Sequence, residues 1–170
     1  FGRGGHSRSL LQNLNGDGRV LGVDKDLAAQ TVAHELAEKD PRFEFFHGSF
    51  AALPHQLRGM GINAVHGILL DLGVSSPQLD EGERGFSFMK DGPLDMRMDT
   101  SRGETAAQWL SYAALQDISG VLKEYGEERF ARRIATAIIA AREESPIETT
   151  AQLAKIVSDA HPRWEKHKHP

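Results

Sequence analysis

A glycine turn at the head of an alternating series of helices and strands limits the fold more than any other feature. Gly2-Arg3-Gly4-Gly5 sets neighbouring glycines where the backbone takes shapes that side chains forbid. A helix follows through Leu11, with Ser7 expected as its cap. Asn15-Gly16-Asp17-Gly18 signals a second turn, and residues 19–24 then read as a short buried strand. Residues 26–39 have helical periodicity, with Ala28, Val32 and Leu36 expected on the inner face. Residues 43–48 read as a second strand and 51–57 as a short helix. Residues 64–71 are apolar on both faces, as a central parallel strand should be. Such alternation predicts an α/β fold with a doubly wound parallel sheet.

The pattern changes after Asp71. Residues 72–103 carry Gly73, Pro77, Gly82, Gly85, Gly92, Pro93 and Gly103 and read as a loop. A loop of that length in a compact domain is commonly functional. Residues 104–113, 115–125, 127–142 and 149–160 then read as helices with no strand between them. The expected organisation is a sheet domain over 1–75, an active-site loop over 76–103 and a helical domain over 104–170.

Composition narrows the class. Hydrophobic residues make up 39% of the 170, enough for a core. No apolar run approaches the ~20 residues of a membrane span, and no signal peptide is apparent. The chain has no cysteine, which removes disulfides and cysteine zinc sites and fits a reducing compartment. Its net charge of −4 means that nucleic-acid contacts must come from local patches. Phe1 precedes the glycine turn with no room for a strand, and the chain stops at Pro170 in a polar stretch, so the sequence reads as a fragment.

The turn and the helix behind it offer backbone N–H groups to negative charge. Asp24 stands 20 positions after Gly4, at the end of the next strand. An acid about 20 positions after such glycines accepts hydrogen bonds from a ribose. Together they imply a nucleoside-containing cofactor; the competing reading is a plain helix-entry turn and a solvated Asp. The run Gly2-x-Gly4-x-x-Ser7 lacks the third glycine of a dinucleotide site, so NAD fits imperfectly. S-adenosylmethionine has one ribose, no phosphate and a carboxylate suited to the helix terminus. Asp71 closes the third apolar run, where ligands of open α/β sheets bind; otherwise it caps the next turn.

Four segments carry a resemblance. They are residues 1–8, Phe-Gly-Arg-Gly-Gly-His-Ser-Arg; residues 71–99, with Asp-Leu-Gly-Val-Ser-Ser-Pro-Gln, Glu-Arg-Gly-Phe-Ser-Phe-Met and Asp-Gly-Pro-Leu-Asp-Met-Arg-Met-Asp; and Tyr125-Gly126-Glu127-Glu128-Arg129-Phe130 with Lys168-His169-Pro170. In these the chain resembles the bacterial 16S rRNA cytosine-N4 methyltransferases along essentially its whole length. The resemblance implies a Rossmann-like class I methyltransferase sheet, here incomplete, with an inserted all-helical domain. It implies S-adenosyl-L-methionine as cofactor, held at its methionine end by Gly4, Gly5 and His6. It also implies Asp24 at the ribose, Phe50 against the adenosine, and Asp71 and Gln78 elsewhere in the pocket.

The implied partner is 16S rRNA or the small ribosomal subunit in a bacterial cytoplasm, with a homodimer left open. Asp71 and the carbonyls of 73–77 are the expected groups for orienting a cytosine N4 amine. Methylation at carbon 5 would need a cysteine nucleophile, which this chain lacks. Two alternatives stand beside this reading: an NAD-dependent oxidoreductase, which leaves 71–99 unexplained, and a truncated RNA-binding fragment without turnover.

Other residues suit a nucleic-acid substrate less sharply. Phe86 and Phe88 either stack on a base or anchor the loop. Arg129, Arg132 and Arg133, three and four apart, meet phosphates or form a solvated face paired with Glu127 and Glu128. Arg163, Trp164, Lys166 and Lys168 form a second basic cluster. His161, His167 and His169 lack metal-ligand spacing and read as a polar tail.

Overall fold

Parallel pairing of two short strands organises the N-terminal part of the computed structural model, which describes residues 1–162. β1 (Val20–Asp24) lies parallel to β2 (Phe43–His47), with Val20 opposite Phe43 and Asp24 opposite His47. Parallel neighbours need a crossover, and α2 (Leu27–Lys39) supplies it. Its N-cap is Asp26, whose Oδ1 accepts a hydrogen bond from Ala28 N at 2.9 Å. The buried face of α2 is Ala29, Ala33 and Leu36, one position on from the expected Ala28 and Val32; Ala28 is exposed.

α1 (Gly5–Asn13) buries Leu11 in a small core with Ala33, Leu36 and Phe43. Gly4 is its N-cap, at φ 76°, and Ser7 lies buried inside the helix, so the expected Ser7 cap is corrected. The left-handed cap that Gly4 permits starts the helix ahead of Ser7. Arg42 closes the other end of this layer. Its guanidinium grips Asp40 at 2.7 Å and donates to Leu11 O at 2.9 Å. A 3₁₀ turn (Phe50–Ala52) and α3 (Leu53–Gly59) follow β2. This first compact unit comprises Phe1–Gly73 with Met98–Arg102.

The expected third strand is absent. Residues 64–71 form no strand, and Val65, Ile68, Leu69 and Leu70 are exposed. A strand exists only through hydrogen bonds to a neighbour. Among the described residues β1 and β2 pair with each other, and the amino group of Phe1 bonds Val23 O at 2.9 Å. An α/β fold with a two-stranded parallel sheet therefore stands.

The second unit comprises Val74–Arg97 and the residues from Gly103 onward. It holds α4 (Ser76–Asp80), a 3₁₀ turn (Gly82–Arg84), α5 (Ala106–Tyr112), α6 (Leu115–Glu124), α7 (Ala131–Glu144) and α8 (Thr150–Ala160). Its core includes Leu94, Leu110, Ile118, Ile134, Ile138 and Ile147. Capping boxes open α5 at Thr105–Gln108 and α8 at Thr149–Gln152.

Residues 82–97 are built into this unit rather than looping freely. Leu94 N donates to Glu148 O at 2.8 Å, Thr150 N to Gly92 O at 3.0 Å and Ala107 N to Leu94 O at 2.9 Å. Gly85 sits at φ 74°, and a Cβ there would fall 2.6 Å from Pro93 O and Asp95 N. α7 begins at Ala131 rather than 127, because Glu127 takes φ 52° and breaks the helical path. No helix among the described residues is long and apolar enough to cross a membrane.

Candidate functional site

The glycine turn and the end of β1 are locked together. Gly2 N donates to Asp24 Oδ2 at 2.8 Å and Asp26 N donates to Oδ1 at 2.9 Å. Burial pushes the Asp24 carboxyl up, the hydrogen bonds from the Asp26 and Gly2 N–H groups pull it down, and the carboxyl lies below the usual carboxylate range. The carboxylate is thus ionised, 22% exposed, and able to accept further donors, since each oxygen has two lone pairs.

Phe1, which the sequence reasoning passed over, positions the turn. Its ring packs 5.3 Å from that of Phe43 and 5.4 Å from that of Phe45, and its carbonyl accepts from Gly4 N at 3.0 Å. A Cβ on Gly4 would lie 2.8 Å from Phe1 Cζ, so only glycine fits this buried position. Gly5 and His6 open α1, where the first N–H groups have no partner within the helix. The signal for Phe1 was visible: a large aromatic immediately ahead of a glycine turn.

The structure also joins His6 to Asp71. Nε2 of His6 lies 3.1 Å from Oδ2 of Asp71, with the side chains 64% and 72% exposed. Asp71 therefore reaches the first turn of α1 although residues 64–71 form no strand. Phe50 begins the 3₁₀ turn after β2 and is 55% exposed. Gln78, in the second unit, is buried; its Oε1 accepts from Ser75 N at 2.8 Å in the capping box of α4. That bond gives Gln78 a structural role of its own.

In the second unit the Arg84 guanidinium lies 5.8 Å from the ring centroid of half-buried Phe86. Phe88 is 56% exposed. Arg132 and Arg133 lie in the first turn of α7, whereas Arg129 precedes the helix, so the expected single helical stripe is corrected. All three are exposed, and among the described residues none forms an ion pair with Glu127 or Glu128. Glu128 instead accepts from Phe130 N at 2.6 Å and lies 3.8 Å from His161, whose ring packs edge-on to Phe130. Arg163, Trp164, Lys166, His167, Lys168 and His169 lie outside the described residues.

Comparison with known proteins places this arrangement. Residues 1–170 match the model of the MraW methylase family. The chain is 56% identical over its whole length to a protein of Acinetobacter baylyi named ribosomal RNA small subunit methyltransferase H, covering 55% of that protein. It is 57% identical to the protein of the same name from Chromohalobacter salexigens, covering 51% of it. The chain thus spans about half the length of the curated relatives it matches. With a glycine turn tied to a strand-end acid and the match unbroken from end to end, the chain belongs to the MraW methylase family.

Proposed function

We propose that this chain is the cofactor-binding part of an S-adenosylmethionine-dependent methyltransferase that modifies the N4 amine of a cytosine in 16S rRNA. The observation that carries the reading is the 2.8 Å bond from Gly2 N to Asp24, which sets helix-terminus amides beside an ionised strand-end carboxylate. Gly4, Gly5 and His6 would hold the carboxylate of the methionyl end, Asp24 would accept from the ribose hydroxyls, and Phe50 would lie against the adenosine. The cofactor supplies a methyl group on an electrophilic sulfonium.

The chain's own groups then act on the amine. A cytosine N4 lone pair is delocalised into the ring, so the amine must be oriented and its N–H groups engaged. Asp71, held by His6, accepts one of those N–H groups. Positioning of this kind is worth about 7–11 kcal/mol. Phe88 and the cationic side chains Arg129, Arg132 and Arg133 serve the RNA, and the helices between residues 104 and 160 belong to a substrate-recognition insert. The partner is the small ribosomal subunit or its 16S rRNA in the cytoplasm.

Nucleoside mass spectrometry of 16S rRNA incubated with the protein and S-adenosylmethionine tests this. N4-methylcytidine is the expected product, lost with Asp71→Ala. Cofactor binding with no cytosine methylation on either free RNA or subunits would overturn the substrate assignment.

A further inference from the structure

A shallow groove on the helical unit is lined by Leu115, Gln116, Ser119, Gly120 and Lys123 of α6 with Arg132 of α7. Gln116, Ser119, Gly120 and Lys123 recur at helical spacing and so share one face of α6. The lining offers two cations, a hydroxyl and an amide, and no carboxylate. Among the described residues neither Lys123 nor Arg132 has an acidic partner, whereas Arg42, Arg97 and Arg102 are paired at 2.7, 2.7 and 2.6 Å.

Gly120 is the second, independent sign. It sits inside α6, where glycine costs about 0.5–1 kcal/mol relative to alanine. Its φ is not positive, and a Cβ built on it would meet nothing within 4 Å. Neither the fold's packing nor its backbone requires glycine there. Its effect is to leave the floor of a cationic groove open to close approach.

We propose that the α6–α7 groove binds phosphates of the RNA backbone, with Lys123 and Arg132 neutralising them and Gln116 and Ser119 donating hydrogen bonds. This rests on the RNA-substrate reading above and adds a contact region to it. Phosphate contacts orient a nucleic acid without reading its sequence, so the groove sets how the RNA lies on the protein.

The test is fluorescence anisotropy of a short labelled single-stranded RNA between about 50 and 200 mM salt. Removing two contacts with Lys123→Gln/Arg132→Gln is expected to flatten the slope of log affinity against log salt by about 1.4. Gly120→Leu is expected to weaken binding several-fold while the melting temperature holds or rises, a result that lost folding would not give. Lys155→Gln, which removes the cation paired with Asp159 at 2.7 Å on α8, is expected to leave the slope unchanged.

An unmoved slope in the double variant, or RNA affinity unaffected by Gly120→Leu, would overturn the proposal, as would a wild-type protein that binds no RNA. Polyglutamate binding lost in the double variant, with RNA binding retained, would assign the groove to an acidic protein instead. Calorimetry with S-adenosylmethionine separates the two readings. A flattened slope without cofactor binding leaves the groove standing and removes the methyltransferase reading.

Discussion

Replacing Asp24 by Asn tests how the glycine turn is held. The carboxylate accepts from Gly2 N at 2.8 Å and from Asp26 N at 2.9 Å. Hydrogen bonds to a charged acceptor are worth about 1.5–3 kcal/mol each. Asn keeps one acceptor oxygen but presents an NH₂ group to the other donor, so Asp24→Asn is expected to cost about 2 kcal/mol at neutral pH. The pH dependence has a definite sign. A carboxyl held below its ordinary value contributes stability that is complete above the unfolded pKa of about 3.9 and is lost as pH falls through the folded one. Urea titrations followed by far-UV circular dichroism should therefore show a constant gap between wild type and variant from neutral pH to about pH 5, narrowing below about pH 4. A variant as stable as wild type at neutral pH, or a gap that persists undiminished in acid, would refute this account of Asp24.

His6→Ala removes an exposed pair worth at most about 1 kcal/mol, so stability should barely change while cytosine methylation falls; unchanged methylation in a quantitative assay would remove Asp71 positioning from the mechanism. Gly85→Ala forces φ 74° on a residue with a side chain and drives its Cβ against Pro93 O and Asp95 N, and should lower stability by about 1–3 kcal/mol; an unaltered melting temperature would contradict the packing of 82–97. Ile68→Glu/Leu70→Glu breaks an exposed apolar run of strand-like composition, and light scattering should show less self-association at high concentration; equal scattering would show that the run takes no part in it.

The strands and crossover helix were legible because local patterns determine them. Apolar runs bounded by turns marked β1 and β2, and Asp26 capped α2 where the periodicity began. Residues 64–71 show the limit of that reasoning. Composition marks a segment suited to a sheet, but pairing depends on a neighbour that no local pattern reports. The buried face of α2 shifted by one position because alanines at 28, 29 and 33 leave the apolar stripe ambiguous. Ser7 lost the cap to Gly4, where a left-handed backbone overrode side-chain preference. Glu127, with its positive φ, took Arg129 out of the helix. The 20-residue spacing from Gly4 to Asp24 marked both for one site without announcing the Gly2–Asp24 hydrogen bond, and the meeting of His6 and Asp71, 65 residues apart, had no signal in periodicity or spacing.

Isothermal titration of S-adenosylmethionine into the intact protein, with NAD as the competing ligand and Asp24→Asn as the variant, tests the cofactor assignment most directly. Circular dichroism at the titration temperature must first show both proteins folded. The account predicts saturable binding of S-adenosylmethionine that the variant weakens, with no heat from NAD. Absence of S-adenosylmethionine binding by folded wild-type protein, or saturable NAD binding in its place, would contradict it.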